Sequence, residues 1–198
     1  MFDDDVTTVA FMERDAQQIA RNLRRKDVAF LQTLVEQYQY RLVRYLIYLL
    51  GRRDGVDDLV QETWLRVLER GSSYDGHSRF EPWLFRIARN LALDDLRKRR
   101  TFSLDSAQNE DCDAVALSPA STAPSPFLLA ARSEDAQRLA HSMQTLEPAC
   151  REALVLRFQE DLSLQEISII ADAPVSTVAS RIYRALATLR TQLEERKP

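Results

Sequence analysis

Apolar residues recur three and four positions apart along the first half of the chain, which is the period of an amphipathic helix. The clearest stretch runs from Phe30 to Leu50 and is ended by 51–55 (GRRDG), where Gly51 suits a left-handed helix cap. Further helices are predicted at about 56–70 and about 79–100, and a less sharply patterned one at about 15–25. The inward positions of the Phe30–Leu50 helix are Leu31, Leu34, Val35, Tyr38, Leu42, Tyr45, Leu46 and Leu49.

The second half of the chain ends in two short helices joined by a tight turn. Ser163 and Glu166 have capping-box spacing, and they precede the apolar positions Ile167 and Ile170. The following helix turns Val178, Ile182, Ala185, Leu186 and Leu189 inward, and Thr177, Ser180, Arg181, Arg184 and, at the edge, Tyr183 outward. Hydroxyls and arginines there suit contacts in a DNA major groove, although plain packing of two helices produces the same pattern.

Between these halves the helical period stops. Residues 101–131 are rich in Ser, Ala, Asp and Pro, and the three prolines Pro119, Pro124 and Pro126 disfavour helix. The pattern predicts an all-α fold of two small helical domains, 14–100 and 133–196. They would be joined by a flexible, acidic, Pro/Ser-rich linker, 101–132, and preceded by a tail, 1–13.

Composition narrows the function classes. The 198 residues include only 4 glycines, too few for an all-β sandwich, and 2 histidines and 2 cysteines that form no zinc pattern. No phosphate-binding glycine loop is present, so we expect no catalytic residue, no metal site and no cofactor. The acidic start and the lack of a long apolar run favour a cytoplasmic protein without membrane insertion.

A basic stripe lies on the predicted helix at about 79–100, although the whole chain has a net charge of −3. Arg86, Asn90 and Arg97 fall on one line, and the run 97–100 (RKRR) suits phosphate contact. The preceding loop 71–80 adds small residues, hydroxyls and Tyr74. This combination is typical of single-stranded nucleic-acid binding, and a solvated surface helix is the alternative.

The predicted helix at 56–70 has a polar line opposite its apolar stripe, formed by Asp58, Gln61, Glu62 and Leu65. A solvated face explains the acidic residues, and a protein partner explains the leucine.

Several segments of the chain resemble a known family. The segments 57–68 (DDLVQETWLRVL) and 80–100 (FEPWLFRIARNLALDDLRKRR) resemble region 2 of the extracytoplasmic-function (ECF) group of sigma-70 factors. Residues 146–186 resemble region 4 of the same group, in the same order along the chain. The turn before the last helix usually carries glycine in this family, where this chain has Asp172 and Ser176. Aspartate tolerates left-handed backbone.

The resemblance implies a factor that binds core RNA polymerase and promoter DNA, with an anti-sigma factor as a further partner. Contact with the polymerase β′ clamp would involve Asp58, Gln61, Glu62 and Leu65. The pocket for a flipped −10 base would be shaped by Tyr74, Ser78 and Asn90, and phosphates would be held by Arg79, Arg86, Arg89, Arg97, Lys98, Arg99 and Arg100. The −35 element would be read by Thr177, Ser180, Arg181, Tyr183 and Arg184, beside a contact with the β flap.

Two other functions stay open. A conventional helix-turn-helix regulator would bind duplex DNA without polymerase, but it leaves residues 57–100 without a purpose. An interaction adaptor that no longer initiates transcription is the second alternative.

Overall fold

The computed structural model describes residues 15–104 and 134–194, and every regular element within these ranges is helical. The all-α prediction is therefore confirmed, as two helical units. The predicted tail 1–13 and the linker from 105 onward lie outside the described residues. The helices are α1 (15–24), α2 (Val28–Leu50), α3 (Val56–Arg70), α4 (Phe80–Leu104), α5 (Glu134–Thr145), α6 (Pro148–Phe158), α7 (Leu164–Ala171) and α8 (Val175–Glu194), with a 3₁₀ turn at Gly71–Ser73.

The N-terminal unit is built on α2, α3 and α4, which pack against one another. Asp27 caps the start of α2, and Gly51 ends it in the left-handed conformation (φ 66°), where its N–H donates to the Ile47 carbonyl. Burial of each large apolar side chain stabilises the unit by about 1.5–3 kcal/mol. The fully buried members include Leu42, Tyr45, Leu46, Val56, Val67, Leu84, Phe85 and Ala88.

The C-terminal unit contains the predicted helix-turn-helix, α7 and α8. The capping box at the start of α7 is confirmed, with Ser163 accepting from the Glu166 N–H and Glu166 accepting from the Ser163 N–H. Asp172 ends α7 with a left-handed backbone (φ 49°). Of the positions predicted to face inward on α8, Leu186 was wrong: it lies at the edge of the apolar stripe and is exposed.

The two units are in contact, which the helical periods did not predict. Helix α2 packs against α6, and α4 packs against α7. Within the N-terminal unit, Phe85 of α4 is fully buried and packs edge-on against Tyr45 of α2 at 5.0 Å. Helix α4 also continues to Leu104, into the segment predicted as linker.

No helix within 15–104 or 134–194 combines the length and the apolar character needed to cross a membrane.

Candidate nucleic-acid and protein interfaces

The loop before α4 is supported from beneath by α1. Gly76 has a left-handed backbone (φ +76°), and a Cβ there would lie 2.9 Å from Ala20 Cβ and 3.0 Å from the Ala16 carbonyl oxygen. Tyr74 is buried in the same loop, its ring edge-on to Phe80 at 5.5 Å, and its hydroxyl donates to the Ser78 carbonyl. Burial, reinforced by the nearby Glu81 carboxylate, raises the pKa of Tyr74, so its hydroxyl stays a donor. Tyr74 thus holds the loop from inside, while the Ser78 side chain faces solvent.

The basic stripe on α4 contains exposed side chains and side chains that are paired with carboxylates. Arg86 and Asn90 are exposed one turn apart, and Lys98 is exposed further along. Arg97 contacts Asp94 at 3.0 Å on an exposed surface. Arg99 contacts both Asp95 at 3.1 Å and Asp54 at 3.3 Å, so part of its charge is neutralised. The Arg100 side chain lies outside the described part of the structure.

Two further arginines of the predicted −10 group contact the C-terminal unit. Arg89 Nε lies 2.9 Å from Glu152 Oε1, and both side chains are largely buried. Arg79 donates to the Asp161 carbonyl at 3.2 Å and lies 3.4 Å from Glu81. These charges are therefore satisfied within the chain.

Sequence reasoning missed Arg41 and Arg44 on α2. Glu160, whose side chain is 0% exposed, accepts from Arg41 Nε at 2.7 Å and from Arg44 at 2.8 Å. The Arg41 guanidinium also lies over the Tyr38 ring, 5.1 Å from its centroid. Burial lowers the pKa of Arg41, but the Glu160 carboxylate, together with Glu81 and Tyr38, outweighs burial and the net shift is upward. Two arginines three residues apart, beside inward positions of an apolar helix, were the available signal.

The polar line on α3 is accessible. Asp58 and Gln61 are exposed, and Glu62 is half-buried against Arg66 at 3.0 Å. Leu65 is 54% exposed at the end of this line. The four side chains therefore form one continuous surface of carboxylates, an amide and an apolar group, which we call the α3 face.

The outward side of α8 is also accessible. Tyr183 is 75% exposed, Ser180 and Arg184 are exposed, and Thr177 and Arg181 are half-buried. The Arg184 contact with Glu147 is 3.7 Å long between two exposed side chains, so it is screened by solvent. Hydroxyls, a phenol and guanidinium groups are thus presented together near the N-terminal end of the second helix of a helix-turn-helix.

Metal binding has no visible site in the part of the chain that the structure covers. No three His, Cys, Asp or Glu side chains there are grouped so as to hold an ion.

Comparison with known proteins identifies the family that shares this arrangement. The family description Sigma-70 region 2 matches residues 34–102, and Sigma-70, region 4 matches 136–189, together more than half of the chain. The ECF RNA polymerase sigma factor SigW of Bacillus subtilis is 28% identical over 189 residues, covering 93% of this chain and 100% of SigW. The ECF sigma factor SigE of Mycolicibacterium smegmatis is 36% identical over 160 residues, covering 81% of this chain and 60% of SigE.

Solved structures share the fold. CnrH, in complex with the cytosolic domain of CnrY, has a TM-score of 0.64 at 23% identity, covering 91% of this chain and 98% of CnrH. The sigma factor RpoE, in complex with the anti-sigma factor NepR from Bartonella quintana, has a TM-score of 0.63 at 23% identity, covering 84% of this chain and 98% of RpoE.

Proposed function

Because this chain belongs to the extracytoplasmic-function group of sigma-70 factors, we propose that it binds core RNA polymerase and directs transcription initiation from promoters with −35 and −10 elements. Sigma factors are transcription initiation factors and not enzymes. The chain works in the cytoplasm, without a cofactor, and supplies binding energy in place of catalysis. Its two DNA-reading units are 14–100 and 133–196, tethered by 101–132.

The α3 face is the observation that favours this function over the alternatives. Leu65 is exposed at the end of an acidic line, and an acidic surface is repelled by DNA. Both features fit a protein partner, with Leu65 as the apolar contact and Asp58 and Glu62 as complementary charges. A conventional helix-turn-helix regulator has no use for such a surface.

The loop 71–79 and α4 form the proposed −10 site. Ser78 and Asn90 contact an unstacked base of the separated strand, and Tyr74 keeps the loop in shape from beneath. Extruding a base costs a few kcal/mol, and stacking or hydrogen bonding in a pocket returns about 1–3 kcal/mol. The strand's phosphates are held by Arg79, Arg86, Arg89, Arg97, Lys98, Arg99 and Arg100.

The exposed side of α8 forms the proposed −35 site. Its N-terminal half enters the major groove, where Ser180 and Arg181 reach base edges and Arg184 contacts a phosphate. Thr177 and Tyr183 complete the surface, and the same unit contacts the polymerase β flap. Because the two units are tethered, two weak DNA contacts add up to one of higher avidity.

An anti-sigma factor is the further partner we propose. The support is the fold shared with RpoE, which was solved bound to the anti-sigma factor NepR.

The decisive experiment combines polymerase capture with transcription. The purified chain is used to pull down core RNA polymerase, and the complex transcribes a pool of genomic fragments. We expect a stable complex and discrete start sites, whose alignment yields the −10 and −35 sequences. Glu62→Lys is expected to abolish capture, because it reverses a charge in the centre of the α3 face, and Glu36→Lys, an identical change at an exposed position of α2, is expected to leave capture intact.

Two outcomes would contradict the proposal. If the chain binds duplex DNA tightly and captures no polymerase, it is a conventional regulator. If Glu62→Lys captures polymerase as well as the unchanged chain does, the α3 face is not the docking surface.

A further inference from the structure

Two carboxylates of the C-terminal unit are buried against the N-terminal unit. Glu152 Oε1 accepts from the Tyr45 hydroxyl at 2.7 Å and from Arg89 Nε at 2.9 Å. Glu160 accepts from Arg41 at 2.7 Å and from Arg44 at 2.8 Å. Every one of these hydrogen bonds crosses from one unit to the other.

These carboxylates are placed for the contact between the units. A buried carboxylate is costly unless its oxygens are well paired, and both reach their partners only when the two units touch. The Tyr45 hydroxyl is held as a donor, because burial and the neighbouring Glu152 carboxylate raise its pKa well above the usual range. The interface is thus built around charge complementarity.

The surface they cover overlaps the proposed −10 site. Arg89 and Arg79 belong to the group proposed to hold phosphates, and they are engaged by Glu152 and by the carbonyl of Asp161. Arg41 and Arg44 extend the same basic surface onto α2. A carboxylate and a phosphate present a guanidinium with the same kind of anionic oxygen.

This closed arrangement is incompatible with reading both promoter elements. Elements centred at −35 and −10 lie about 25 base pairs apart, which is roughly 85 Å along B-form DNA. Units in direct contact through α2, α4, α6 and α7 do not span that distance. Initiation therefore requires that the interface open.

We propose that the free chain is autoinhibited, with Glu152 and Glu160 standing in for DNA phosphates on Arg41, Arg44 and Arg89. Opening exposes these arginines together with Arg79, and Arg41 and Arg44 then become additional contacts to the −10 strand. The proposal rests on the proposed function for its purpose. Its physical content, that one unit masks a nucleic-acid surface of the other, is testable without polymerase.

The test measures binding of the free, full-length chain to a fluorescein-labelled single-stranded oligonucleotide of mixed sequence. Glu152→Gln combined with Glu160→Gln removes the masking charges and is expected to raise the affinity by about tenfold at low salt. Glu36→Gln combined with Glu69→Gln removes two exposed carboxylates elsewhere and is the matched control. Because both variants change the net charge equally, a gain confined to the first isolates the interface.

A second readout, an added variant and a fallback variant complete the test. X-ray scattering is expected to show a larger radius of gyration for the Glu152→Gln/Glu160→Gln variant only. Adding Arg41→Gln and Arg44→Gln to that variant is expected to reverse most of the affinity gain. If circular dichroism shows that the double variant has lost its helices, Glu160→Gln alone, in the loop between α6 and α7, replaces it.

Equal affinities of the interface variant and its control, or an unchanged radius of gyration, would overturn the autoinhibition. Retention of the full gain after Arg41→Gln and Arg44→Gln would remove these two residues from the DNA surface. Failure of polymerase capture leaves both measurements unaffected, so the two proposals fail separately.

Discussion

Gly76 shows how much the −10 loop depends on one residue. Its backbone lies in the left-handed region. A Cβ added there would lie 2.9 Å from Ala20 Cβ and 3.0 Å from the Ala16 carbonyl oxygen of α1, which is closer than van der Waals contact allows. Gly51 has a similar backbone (φ +66°), but a Cβ added there would meet nothing within 4 Å. The pair therefore separates backbone strain from steric exclusion.

Gly76→Ala is expected to lower the free energy of unfolding by roughly 2–4 kcal/mol, the sum of about 1 kcal/mol of left-handed strain and 1–3 kcal/mol of overpacking. Gly51→Ala should cost only about 1 kcal/mol, because space is open there. Urea unfolding followed by circular dichroism measures both. Equal losses would mean that α1 does not press against the loop.

At the scale of the element, α8 combines a buried stripe with an open face. The capping box of α7 and the left-handed Asp172 set the direction in which α8 leaves the turn. The result is that Tyr183 and Arg184 face away from the core.

Arg184→Ala should weaken binding of the holoenzyme to its promoter and reduce the slope of log K against log salt concentration by about 0.9, the effect of one lost phosphate contact. The loss is expected to be similar across promoters, because a phosphate carries no sequence. Arg190→Ala lies about 9 Å further along the helix and on a different side, and should leave the slope unchanged. Filter binding over a salt series distinguishes them.

The elements themselves could be predicted from sequence because local rules determine them. Helix α3 begins and ends at the predicted residues, and the Ser163–Glu166 capping box forms as its spacing indicates. The contact between the units could not, because no helical period encodes which face meets a distant segment. Arg41 and Arg44 were missed for this reason, and Tyr74 was placed in the right loop without its burial being foreseen.

At the scale of the whole molecule, the interface between the units contains buried ion pairs. Arg44 and Glu160 meet at 2.8 Å with the carboxylate fully buried, whereas Arg97 and Asp94 meet at 3.0 Å with both side chains largely exposed. The two ion pairs differ in burial and not in distance, so their contributions to the free energy of unfolding should differ.

A double-mutant cycle checks this. The coupling between Arg44→Gln and Glu160→Gln, taken from free energies of unfolding, is expected at roughly 1–3 kcal/mol. The cycle of Arg97→Gln with Asp94→Asn is expected to give about 0.5 kcal/mol or less, as exposed pairs do. A buried-pair coupling as small as the exposed one would show that the units are apart in solution.

The burial of Glu160 between two arginines also constrains how such a chain can evolve. Losing one partner leaves Glu160 less well paired and weakens the closed arrangement, so changes at positions 41, 44 and 160 should accumulate together along a lineage. The same holds for the Arg89–Glu152 pair. A chimera that joins this N-terminal unit to the DNA-reading unit of a relative would have a different promoter preference and a mismatched interface between its units. Each unit would carry interface residues that evolved against a different partner surface.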